Sequence, residues 1–201
     1  FPTNTNPKNI TIRSLATIDS PDVKTTLTGN KTIGSNLLQV KVGALVALQV
    51  VSLFSGDHIT NSGPLPPVVG SETTYTIRTK VASSSNDLSQ ARIKFVLPGG
   101  VVYKEKSYPS GETVEWNART NELIWQVGIL SSGKEKEFQF QVAITPNASQ
   151  VGKDVELVKT ATFSAKESFT KKEVITERGG ITNFLHDDNG VGEVSGFVKA
   201  Q

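Results

Sequence analysis

A chain of 201 residues that is 36% hydrophobic and 20% charged can bury a core of its own and is not disordered throughout. Its 21 basic residues nearly balance 19 acidic ones, and the two signs are interspersed, so the basic stripe of a nucleic-acid binder is missing. Without cysteine there are no disulfides, zinc knuckles or thiol catalysis, and no run reaches the roughly 20 apolar residues of a membrane helix. Methionine is absent as well, position 1 included, and the expectation is an excised or processed piece of a longer protein.

In chain order, strand-like stretches fall first at residues 10–18, 23–27 and within 37–54. Residues 1–62 are therefore expected to form a smaller N-terminal β segment, either a small module or a partial sandwich. The segment "NSGPLPPVVG" follows, and its Pro64, Pro66 and Pro67 cannot continue a ladder and favour a stiff, extended path. A domain boundary is placed there. Beyond it, "TYTIRTKV" puts Tyr75, Ile77, Thr79 and Val81 on one side and Thr76, Arg78 and Lys80 on the other. "ARIKFVLP" repeats the pattern with Ala91, Ile93, Phe95 and Leu97, then stops at Pro98-Gly99-Gly100. "TVEW" and "ELIWQVGIL" flank a polar turn, and "KEKEFQFQVAITP" alternates through Phe138, Phe140, Val142 and Ile144. "VELVKTATFSA" and "FTKKEVI" complete the series.

Short alternating strands with regular turn signals predict an all-β fold, an antiparallel sandwich of two sheets whose apolar faces meet about 10 Å apart. The sandwich is expected over residues 63–181, with 182–201 as a C-terminal linker or final strand. Arg78, Lys80, Arg92, Lys94, Glu137 and Gln139 are expected on the polar outer faces. A loose echo between "PDVKTTLTGN" (21–30) and "GGITNFLHDD" (179–188) points to a tandem array, with the first segment as the tail of a preceding module.

These residues resemble the conserved immunoglobulin-like β-sandwich repeat of bacterial cell-surface proteins. The resemblance rests on Val69-Gly70, Tyr75-Thr76-Ile77, Asn86-Asp87, Leu97-Pro98-Gly99-Gly100, Trp125, Gly128, Leu130, Gly133 and the alternating run 138–144. It covers about residues 66–175, and it departs from the pattern at Ile124, where Thr commonly precedes the Trp. It implies a spacer or adhesive module in a secreted, wall-attached or surface-layer protein.

Chemistry is thinly signposted. His58 and His186 each stand beside acids (Asp57; Asp187 and Asp188), but no nucleophile motif accompanies them and no catalytic residue is assigned. In "HDDNGVGE", Asp187, Asn189 and Glu193 are hard oxygen donors around Gly190, which makes calcium the one cofactor to test, although the spacing is not that of the twelve-residue loop. The simpler reading is a glycine-rich turn. Trp116 and Trp125 share strand phase with aliphatic residues, so both are expected in the core rather than on a sugar platform. Lys159 falls on the apolar side of Val155, Leu157, Ala161 and Phe163, where a buried amine is costly. It is a candidate for an intramolecular amide crosslink; the simpler readings are a bulge at Val158 or a lysine reaching the rim.

The expected role is that of a non-catalytic structural spacer at the cell surface or outside the cell, its partners being neighbouring modules of the same chain. The alternative is an adhesin or glycan-binding module that meets a host protein or glycan through end loops such as residues 104–111. Neither nucleic acid nor membrane insertion of this segment is expected.

Overall fold

The computed structural model describes residues 8–19, 32–56, 58–191 and 196–201, and builds them almost wholly from β-strands. Four short strands form an N-terminal arm. β1 (Thr11–Ser14) pairs with β4 (Leu38–Lys41), and β2 (Thr17–Asp19) pairs with β3 (Thr32–Gly34), so the two ladders lie on one long hairpin. Nearly every residue of these strands is exposed.

The sandwich begins at β5 (Val46–Leu53) and continues through β6 (Thr73–Ser83), β7 (Leu88–Val96), β8 (Val101–Tyr108) and β9 (Val114–Asn117). It is completed by β10 (Glu122–Leu130), β11 (Glu135–Ile144), β12 (Glu156–Glu167) and β13 (Glu173–Thr182). One sheet has the order β5-β6-β11-β8, the other β13-β12-β7-β10-β9, and all these pairings are antiparallel. Fold class and sandwich architecture are therefore as the alternation predicts.

Period-two patterning places the core. Tyr75 and Ile77 of β6 and Phe138, Phe140 and Val142 of β11 face Ile93 and Phe95 of β7, Leu123 and Trp125 of β10, and Phe163 of β12, all of them fully buried. The Trp125 and Phe138 rings stack at 4.9 Å, and Phe95 meets Phe140 at the same distance in a tilted contact. Burying each such side chain contributes about 1.5–3 kcal/mol. Gly128 sits at φ 74° where β10 slips register against β7, a conformation that glycine adopts without strain.

Three expectations need correction. The boundary between residues 62 and 63 falls between two paired strands, because β5 runs alongside β6 from Val46↔Ser83 to Leu53↔Thr76. Residues 46–53 belong to the sandwich; their mixed pattern hid this, since Val51 and Leu53 point outward yet are covered. The proline-rich segment is tied in as well: Thr73 Oγ1 donates to the Pro64 carbonyl at 3.0 Å, Gly70 N to Pro146 O at 2.9 Å, and Val69 N to Lys199 O at 3.0 Å. Gln139 is buried rather than solvated, because residues 54–56 and 58–63 lie on the outer face of the β6–β11 pair as a strap.

The chain enters and leaves the sandwich at opposite poles. The arm joins where β6, β7 and β12 turn, near residues 83–88 and 167. Residues 198 and 199 form parallel bridges to Val151 and Val68 at the other pole.

Candidate functional site

Among the described residues, polar side chains of the sandwich fasten connecting segments to a pole or face at several points, of which three bear on the expected sites and on the arm. The first is the turn after β13, where the calcium donors were expected. Asp187 and Asn189 are exposed, and Glu193 lies outside the described residues. The residue in use is Asp188, which is buried. Its Oδ2 accepts the Phe54 and Ser55 amides at 2.6 and 2.8 Å, while its Oδ1 accepts Gly190 N at 3.0 Å and the Ser55 hydroxyl. Burial opposes ionisation of this carboxyl, but the four donors outweigh it and hold its pKa below the ordinary 3.8. Asp188 thus pins the turn to the end of β5, and its oxygens are occupied. Among the described residues no three His, Asp or Glu side chains converge as a metal site.

The second is the strap. Asn61 Nδ2 donates to Phe54 O at 3.0 Å and Thr76 Oγ1 at 2.9 Å, and Gln141 Nε2 donates to Thr60 O at 2.9 Å and Asn61 Oδ1 at 3.0 Å. Ser62 and Thr74 exchange backbone and hydroxyl bonds beside them. Ile59 is buried, and His58 stacks on Tyr108 with ring centroids 3.7 Å apart. A Cβ on Gly56 would lie 2.3 Å from the Ile59 carbonyl, so only glycine lets the strap fold back on itself. Asp57 lies outside the described residues. Between strap and β8 lies an open cleft of ≈ 560 Å³ lined by His58, Thr60, Glu105, Ser107 and Ser110. The expected end loop at 104–111 is thus mostly strand, with β8 running to Tyr108.

The third place is the base of the arm. Buried Asn86 donates through Nδ2 to Val42 O at 2.9 Å and to the Glu167 carboxylate, and accepts Asn9 N at 2.9 Å. Buried Glu167 also accepts Ala44 N at 3.2 Å and Thr170 Oγ1 at 2.7 Å. Asp87 accepts Ser132 N at 2.8 Å and Lys8 Nζ at 2.9 Å; that backbone amide first, and then the lysine, lower its pKa. Lys41 Nζ lies 4.6 Å from the Phe169 ring and donates to its carbonyl.

Lys159 is exposed. The β12–β13 register shifts between Glu156 and Val158, and beside that irregularity Leu157 and Val158 are both buried while the amine reaches solvent. A register irregularity sits beside the broken phase, and the buried amine that motivated a crosslink is not there. Trp125 is in the core with its Nε1 donating to Glu112 at 2.7 Å, while half-buried Trp116 packs 5.5 Å from Tyr103. His186 is exposed, its ring 4.2 Å from Phe184.

Sequence reasoning missed Asn86, Glu167 and Asp188 as fastening residues. The available signal was weak: an acid or amide beside a turn, which also describes many solvated loop residues.

No family model matches the chain, and no curated protein matches it. Solved structures with similar architecture include the major pilin subunit of Bacillus cereus, 11% identical, covering 90% of this chain and 66% of that one at TM-score 0.45. Domains D2 and D3 of the major pilin of Corynebacterium diphtheriae are 17% identical, with 65% and 50% coverage and TM-score 0.40. A GH20 exo-β-N-acetylglucosaminidase of Vibrio harveyi is 8% identical, with TM-score 0.39; the match covers 77% of this chain but only 18% of that enzyme. These similarities are too distant to carry a functional argument.

Proposed function

We propose that this chain is a structural module of a bacterial cell-surface or extracellular protein, a stiff link between neighbouring modules and not a catalyst. The observation that carries the reading is the placement of entry and exit at opposite poles, with each connection fastened by hydrogen bonds. Tension applied between β5 and residue 199 runs along the strands, so ladder bonds are loaded together and not one at a time. The open side is laced by Ser52 Oγ to Thr182 O at 2.7 Å and Arg178 Nε to Leu48 O at 3.0 Å, which tie β5 to β13 across the two sheets. Single-molecule pulling tests this. Extension between the poles is expected to need clearly more force than pulling from cysteines introduced at opposite edges of one sheet; equal or lower force would sink the spacer role.

A second reading, adhesion to a glycan or host protein, is favoured by the cleft beside the His58–Tyr108 stack, where aromatic faces and hydroxyls meet. Binding on a glycan array that is lost in His58→Ala would support it; an array with no signal would remove it.

A further inference from the structure

Among the described residues, the arm gathers several large aliphatic side chains that nothing covers. Ile12, Ile18, Ile33, Leu38 and Val40 are 53, 72, 72, 64 and 52% exposed. Ile12 pairs across from Val40 and Ile18 from Ile33, so aliphatic side chains meet on shared faces. At the base, Ile12, Leu38 and Val40 share one face while Thr11, Arg13, Gln39 and Lys41 share the other. Together the five leave on the order of 600 Å² of largely aliphatic surface, close to the roughly 800 Å² that one partner brings to a stable interface. Among the described residues, β1 and β2 pair on one side only, leaving an open edge. A lone two-stranded hairpin is marginal in water.

The sequence indicates what kind of surface would cover it. Ile12-Arg13-Ser14-Leu15-Ala16-Thr17-Ile18 lines up with Leu157-Val158-Lys159-Thr160-Ala161-Thr162-Phe163 of β12. Leu157, Ala161 and Phe163 are fully buried, and Ile12, Ala16 and Ile18 stand at their places. Lys159 is exposed, and Ser14 stands at its place. In the sandwich this hairpin packs its apolar face on the core and its free edge on β7.

We propose that the arm is the closing hairpin of a neighbouring sandwich of this same architecture. It fills there the place that β12 and β13 fill here, laying β1 and β2 against a β7-like strand. The proposal rests on the spacer reading, which it makes specific: adjacent modules would share a hairpin, and the node at Asn86 and Glu167 would be the rigid joint between them. A second copy of this chain is not the occupant, because its own slot is already filled.

The test places residues 43–152 directly ahead of residues 8–201, so that the arm follows where β12 would begin. Two folded sandwiches are expected, with amides of Ile12, Ile18 and Val40 at least 100-fold more protected from exchange than in the single chain. Ile12→Lys with Ile18→Lys is expected to abolish that gain. Unchanged arm exchange would overturn the proposal if a matched fusion, carrying residues 153–182 between the two parts, folds its leading unit. Exchange on the single chain decides independently: the arm should exchange at least 100-fold faster than β6 and β11, and equal protection would overturn the proposal. Arm-dependent dimers in sedimentation would also overturn it, by naming a second copy as occupant. A glycan ligand or poor resistance to force would sink the spacer role without changing arm exchange, so the two failures can be told apart.

Discussion

β12 and the first half of the arm, residues 12–18, carry nearly the same pattern, yet one is buried on its apolar face and the other is bare. Phe163 has no exposed surface, whereas Ile18 at the corresponding place is 72% exposed. What separates them is company. β12 has β7 on its free edge and a second sheet against its apolar face; β1 and β2 have neither among the described residues. The stability of a strand therefore lies less in its own residues than in what it lies against.

The sharpest way to break this comparison is to truncate both hairpins at matched positions. Phe163→Ala is expected to cost about 3–5 kcal/mol in urea unfolding, because it opens a cavity in a closed core. Next in size, Asn86→Ala strips partners from Glu167, Val42 O and Asn9 N at the joint. A loss of about 2–3 kcal/mol is expected, together with faster amide exchange at residues 9, 42 and 44, which a purely global loss would not single out. Asp188→Asn replaces an acceptor facing two amides with a donor and should cost about 1–3 kcal/mol without altering arm exchange.

Asp188 also sets a pH signature. Its folded pKa lies below 3.8, so its contribution is complete above that value and is lost as pH falls through the folded value. Wild-type stability should drop below about pH 4, and Asp188→Asn should flatten part of that drop. At the alkaline end the sign is reversed. Burial pushes Tyr75 from 10.0 to about 12, with Asn183 pulling weakly the other way, so its contribution is intact below pH 10 and lost as pH rises toward 12. The Tyr75 hydroxyl closes no hydrogen bond of ordinary geometry, and Tyr75→Phe should change stability by no more than about 0.5 kcal/mol at pH 7 while flattening that alkaline loss. The smallest effect is the counterpart of the first: Ile18→Ala should leave the sandwich within about 0.5 kcal/mol of wild type. A loss near that of Phe163→Ala would mean that the arm already packs on something within this chain.

Strands with a clean period of two were legible because one of their faces meets water and the other does not. Phe138, Phe140 and Val142 announced the core in this way, as did Ile93 and Phe95. β5 was harder to place. Its outward residues Val51 and Leu53 are covered, and Ser52, which turns inward, is buried with its hydroxyl satisfied by Thr182, so the alternation is blurred on both counts. The same cause misplaced Gln139, whose solvent side is taken by the strap. At the expected calcium site the turn was legible at 186–190, but the working carboxylate was Asp188 and not its neighbours, a choice made by the approach of Phe54 and Ser55 from 133–134 residues away in the chain.

The sequence by itself determined that this protein is all-β, which residues face inward in its central strands, and where many of its turns fall, because side-chain alternation and glycine or proline backbone limits act locally. The tertiary structure alone decided that residues 46–53 join the sandwich, that Lys159 escapes burial, and that Asn86, Glu167 and Asp188 become fasteners. Each of those outcomes depends on groups far apart in the chain arriving at the same place, and a hydrogen bond or a covered face exists only once its partner is there.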